Sequence, residues 1–154
     1  MSDKSVSELD FKLERLRFVY NQIDRLNERF HKYIAQFQTL TTAILGAGAA
    51  VFLTWSKGAV GADVSRTVIQ GLVGLLIVLG LFIVVFVSTG VISWFDYRNE
   101  EVRILEDVVG KGYRHNPKLK NIFRWHEFYL VLMIVATVAT GAWFGLMKII
   151  PLIQ

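Results

Sequence analysis

The chain has 154 residues, enough for one domain, and no cysteine, which excludes disulfides, thiolate metal sites and cysteine catalysis. Hydrophobic residues make up 53 % of it and charged residues only 19 %, an apolar balance for a chain of this size. The net charge of +4 hides near cancellation, with six carboxylates against seven bases in each of two charged segments, so the sustained basic excess of a nucleic-acid-binding tail is missing.

Residues 1–32 carry the first pattern. Leu9, Leu13, Leu16, Tyr20, Ile23, Asn27, Phe30, Ile34 and Phe37 repeat with strict 4-3 spacing, the seam of a heptad helix. The spacing predicts a helix from about Ser5 that runs without a break into the apolar run after it. At 1.5 Å per residue its charged part spans ~40 Å. Val19, Leu26 and Tyr33 widen the seam on one side, more than a two-stranded coil needs, which points to bundle packing. Asn27 occupies an a position, where a polar residue fixes register and oligomer state at some cost in stability. Two compatible uses follow: packing on the chain's other cytoplasmic helices, and self-association. No apolar core of a signal peptide precedes residue 33, so the first apolar run is expected to act as its own insertion signal.

Residues 33–56 contain no acid or base and suffice to cross a ~30 Å hydrocarbon layer, which takes roughly 20 helical residues. A charge at mid-bilayer costs at least ~2.5 kcal/mol, so this emptiness is what a lipid-facing helix requires. Gln38, Thr42, Gly46 and Ala50 fall on one face, with Ala43 and Ala47 beside them. Small residues at that spacing let helix backbones approach closely, for packing within the chain, for an inter-subunit contact, or to line a weakly polar pore without a charged ring. Residues 57–66 (KGAVGADVSR) read as a short external hairpin loop.

Residues 67–95 form a second uncharged run. Val91, Phe95, Arg98, Val102, Leu105 and Val109 keep helical spacing beyond it, so the helix is expected to continue to Val109, with Gly110 and Gly112 as its stop. Residues 96–127 then make a cytoplasmic helical hairpin. Glu100, Glu101, Glu106 and Asp107 are expected on its solvated face. Asn116-Pro117 suits a restart, Asn as N-cap and Pro at the first helical position, leading through Leu119, Ile122 and Phe123 into the third apolar run. Lys118, Lys120 and Arg124, interleaved with aromatics, are placed to meet anionic lipid at about 1 kcal/mol per base. His31, His126 and Glu127 sit at the membrane boundary; a metal or pH-sensing site there needs convergence and a further ligand, and snorkelling to headgroups is the alternative.

Residues 128–147 are the third run, with Thr137, Gly141 and Gly145 on one face, and residues 148–154, with Pro151 closing the helix, form the C-terminus. Trp55, Trp94, Trp125 and Trp143 all lie towards the ends of the runs, where indole rings seek the headgroup level, and Tyr33, Tyr97 and Tyr129 extend these belts. The fold class expected is all-α: three transmembrane helices with cytoplasmic helical, coiled-coil-like extensions. Fourteen bases flank the runs on one side, against Lys57, Arg66 and Lys148 on the other, which places the N-terminus and second loop in the cytoplasm and the C-terminus outside. No Gly-rich phosphate loop, Ser/His/Asp set or pair of catalytic carboxylates is present, so neither an enzyme nor a cofactor is expected. The lack of intramembrane charge also demotes a transporter.

The stretch RLNERFHKYIAQFQTLTTAILGAGAA, the close hairpin after it, and DYRNEEVRILEDVV together resemble the SLATT group of small transmembrane effectors of bacterial conflict systems. The resemblance is architectural and covers about two thirds of the chain; residues 128–147 add a third span to the two-span pattern. It implies a bacterial inner membrane, oligomerisation, and permeabilisation triggered by a partner that senses infection. The leading expectation is therefore a homo-oligomeric, pore-forming or membrane-perturbing protein whose partners are the bilayer and copies of itself. The alternative is an accessory subunit on a larger membrane complex, engaging a different cytoplasmic or membrane protein.

Overall fold

The computed structural model describes residues 2–117 and 125–153, with side chains from residue 7 onward other than that of His126. All regular structure among the described residues is helical. Helix α1 covers Ser2–Ser56, α2 Ala62–Val108 and α3 His126–Phe144; a π-helical turn over Gly145–Ile149 and a last turn, α4, over Ile150–Leu152 follow. Three stretches, Ser7–Ser56, Ala62–Val108 and Glu127–Leu152, are long and apolar enough to cross a membrane. The chain divides into two compact units.

The first unit joins residues 1–32 to residues 88–126. Here α1 and α2 run antiparallel, with Lys12 facing Asp107 at 4.0 Å, Arg15 bonded to Glu100 at 2.7 Å, and Phe30 seated on Gly90. Val19, Ile23 and Phe30 of α1 and Val102 and Leu105 of α2 are buried, each contributing on the order of 1.5–3 kcal/mol by leaving water. The buried stripe on α1 therefore follows Leu16, Val19, Ile23, Leu26 and Phe30. It shares every seventh position with the expected seam but takes Val19 and Leu26 in place of Tyr20 and Asn27. Of the widening residues, Val19 is wholly buried and Leu26 half-buried.

Helix α2 ends at Val108, and Gly110 and Gly112 follow at φ 121° and 89°, left-handed conformations that a Cβ would strain. The expected restart at Asn116-Pro117 is corrected in part. Asn116, Pro117 and Trp125 are not helical, so α3 starts at His126; Leu119, Ile122 and Phe123 lie outside the described residues. Trp125 instead packs on Trp94 and Phe95, with ring centroids 5.6 and 5.7 Å apart.

The second unit joins residues 33–87 to residues 127–154. Its α1 and α2 segments are antiparallel, Tyr33 meeting Phe86 at 5.3 Å between centroids. The hairpin turns within residues 57–61, with Gly58 at φ 74° and Ala59 donating to the Thr54 carbonyl. This is shorter than the ten-residue loop expected, because Ala62–Arg66 already belongs to α2 and Ser65 is buried. At that end Ile69, Val73 and Ile153 form a core ringed by Val51, Phe52, Trp55, Ala142 and Ile149. Arg66 Nε donates to the Ile153 carbonyl at 2.7 Å and ties the chain's last turn to α2.

Pro151 does not end the helix outright but sits inside α4. The turn before it is widened, with Ile150 N–H bonding the Gly145 carbonyl, five residues back. A proline ring collides with the carbonyl four residues earlier in an ordinary α-helix, and a π-helical turn changes that local spacing.

Candidate functional site

Small residues decide which helix faces are spent inside the chain. A Cβ at Gly80 falls 2.5 Å from Val138 Cγ2, one at Gly141 falls 2.8 Å from Leu76 Cδ2, and one at Gly145 falls 2.6 Å from Val73 Cγ2. All three distances lie below normal carbon contact, so these glycines are what lets α2 and α3 approach. Gly141 and Gly145 thus serve packing within the second unit. Thr137 on the same helix returns its hydroxyl to the Met133 carbonyl at 2.8 Å, leaving little for a partner.

The corresponding face of α1 is different. Gln38, Thr42, Gly46 and Ala50 are all exposed, as are Ala43 and Ala47 beside them. A Cβ at Gly46 meets nothing within 4 Å. The opposite side of the same segment, Phe37, Thr41 and Ile44, is buried. Between α1 and α3 lies a cleft of about 190 Å³ whose polar lining comes from Gln38, Thr41, Thr42 and Thr137.

In the first unit the expected seam is divided. Ile23 and Phe30 are buried and Leu16 is half-buried, whereas Leu9, Leu13 and Tyr20 are 44, 40 and 39 % exposed and Asn27 is exposed with them. On an ideal helix Leu9, Leu13, Tyr20 and Asn27 fall within one narrow arc beside the buried stripe; Leu9 and Leu13 are its exposed apolar part, whereas Tyr20 lies against the Glu101 carboxylate of α2.

A buried carboxylate, which the sequence placed in solvent, is the main polar feature of this unit. Glu101 is completely buried. Arg98 Nη1 donates to its Oε2 at 2.6 Å and Arg114 Nη1 donates to its Oε1, so both carboxylate oxygens are satisfied by charge-assisted bonds. Arg98 also lies over the Trp94 ring at 5.4 Å. Arg114 reaches back only because the two left-handed glycines reverse the chain after α2. Partial burial, and then the Glu101 carboxylate beside it, push the Tyr20 phenol above its usual pKa, so it stays neutral. Glu100, expected in solvent, bonds Arg15, whose guanidinium is held above its ordinary value by that bond; Glu106 and Asp107 are exposed as expected. This cluster fastens the loop to the helix pair.

His31 is exposed and Glu127 half-buried, while the His126 side chain lies outside the described residues. Among the described residues, no three His, Asp or Glu side chains gather as metal ligands would. Lys118, Lys120 and Arg124, expected at anionic lipid, also lie outside the described residues. No protein-family model, curated protein or solved structure matches the chain.

Proposed function

We propose that the chain is a three-span integral membrane protein that assembles with copies of itself through α1 and perturbs the membrane as an oligomer, as a pore-forming effector does. The apolar surface left uncovered carries this reading. Only 17, 22 and 11 % of the most apolar stretch of the three spanning helices is buried within the chain. A soluble monomer rarely leaves contiguous apolar patches on that scale, whereas hydrocarbon covers them without cost. The distribution of bases supports a cytoplasmic N-terminus and second loop and an external C-terminus, and the resemblance to the SLATT group supports a bacterial inner membrane.

Leu9 and Leu13 stand outside the uncharged runs, where lipid is not at hand to cover them. A second copy of the same helix presents the matching edge, the arrangement of a helical bundle. Phe11 favours a second reading. It is 69 % exposed and two positions from Leu9 and Leu13, hence on another face, and a chain using that face docks as an accessory subunit on a different protein.

The mass of the full chain in detergent, by light scattering with the detergent subtracted, separates the two. Self-assembly predicts one discrete oligomer that shifts toward monomer on Leu13→Lys. A monomeric wild type removes the homotypic reading and leaves the accessory subunit.

A further inference from the structure

The second unit leaves a half-open cleft that its own side chains do not fill. It holds about 370 Å³ between α1, α2 and α3, within the range of ligand sites between the helices of bundles. Its walls include Gly48 and Phe52 of α1, Leu72 and Leu76 of α2, and Gly145 and Ile149 at the two ends of the π-helical turn. Glycine keeps it open: a Cβ at Gly48 meets only Leu72, at 3.9 Å. Every side chain that lines it is hydrocarbon. A water molecule needs about two to four polar partners, which these side chains do not supply, and a dry void forfeits the dispersion contacts of its walls. The cleft therefore suits an apolar occupant.

We infer that this cleft holds one acyl chain of a membrane phospholipid. The inference rests on the three-span reading and adds a lipid site to it. Length and section select the occupant. Along α1 the lining runs from Ile44, at the middle of the uncharged run 33–56, to Leu53, near the helix end at Ser56. These nine residues of rise give ~13 Å, close to the roughly 15 Å of hydrocarbon in one leaflet. Spread over that length, about 370 Å³ is a mean section of ~28 Å², against roughly 80 Å² for a helix 10 Å across. A methylene chain fits such a slot and the helix of a second copy does not. Charge agrees at the open end. Lys148, exposed within the π-helical turn and 5.5 Å from the Trp143 ring, stands level with the outer end of the cleft, where a lipid phosphate lies.

The full chain is reconstituted in phosphatidylcholine vesicles containing phosphatidylglycerol with a diazirine midway along one acyl chain, irradiated, and its adducts mapped by peptide mass spectrometry. A resident chain predicts adducts at the half-buried Phe52 and Leu72 several-fold above those at Val78 and Val85, which are exposed on α2 and meet only passing lipid. Native mass spectrometry of the same chain then predicts one retained phospholipid per protomer. Ala49→Phe, which fills the cleft, lowers that lipid-bound fraction several-fold, while Ala50→Phe, one position on and outside the lining, leaves it unchanged. Adducts denser at Val78 and Val85 than in the cleft, or equal lipid retention in wild type and Ala49→Phe, overturn the inference. So does a wild type without retained lipid whose oligomer dissociates on Ala49→Phe, which assigns the cleft to a second copy. A chain that enters vesicles and fails these readouts loses the lipid site alone; one that does not enter them removes the three-span reading as well.

Discussion

At the scale of single residues, glycines of identical appearance in the sequence have opposite fates. Gly141 and Gly145 lie under Leu76 and Val73, while Gly46, Gly71 and Gly74 meet nothing within 4 Å. The sequence shows the spacing that allows close packing but not which helix supplies the neighbour, because that depends on rotation of α3 against α2. Gly141→Ile is expected to destabilise the fold by about 1–3 kcal/mol through overpacking, whereas Gly74→Ile costs nothing measurable. Thermal unfolding in detergent tests the pair, and equal midpoints would mean that Gly141 faces lipid. Glu101 was illegible for a similar reason. Adjacent carboxylates on a charged helix look solvated until Arg114, 13 residues on, is returned by two left-handed glycines. Arg98→Ala strips one of two guanidinium partners from a carboxylate with no access to water and is expected to cost on the order of 1–3 kcal/mol. Charge removal alone can be separated from this by Glu101→Gln with Arg98 retained; an Arg98→Ala chain melting at the wild-type midpoint contradicts the ion-pair account.

At the scale of elements, the heptad spacing of α1 was plain in the sequence, and its division into a buried stripe and an exposed edge was not. Strict 4-3 spacing and the widening residues Val19 and Leu26 define two overlapping stripes, and periodicity alone cannot rank them. Val19 is wholly buried beside Ile23 and Phe30, which leaves Leu9, Leu13 and Asn27 on the outer edge. Asn27→Leu lengthens that edge with an apolar residue and is expected to change the oligomer mass without lowering the melting temperature. An unchanged mass would remove Asn27 from any register-setting role. Helix ends were the least legible features. The early start of α2 at Ala62, the non-helical Trp125 and the π-helical turn before Pro151 are all settled by tertiary neighbours: Ser65 is buried, Trp125 has Trp94 and Phe95, and Ile153 has Arg66.

At the scale of the whole molecule, the three long apolar helices were the most legible property, because uncharged runs of this length have few alternatives in a 154-residue chain. The Gln38, Thr42 and Gly46 face of α1 was visible only as a spacing, and in the structure it is exposed. Each larger claim, assembly included, depends first on three membrane crossings. These are tested most directly by labelling intact cells with a membrane-impermeant maleimide, using Ala59→Cys, Tyr113→Cys and Leu152→Cys in the cysteine-free chain, all at exposed positions. Three crossings with a cytoplasmic N-terminus predict labelling of Ala59→Cys and Leu152→Cys from outside, and of Tyr113→Cys only after permeabilisation. Labelling of Tyr113→Cys in sealed cells, or of Ala59→Cys and Leu152→Cys from opposite sides, would contradict the account.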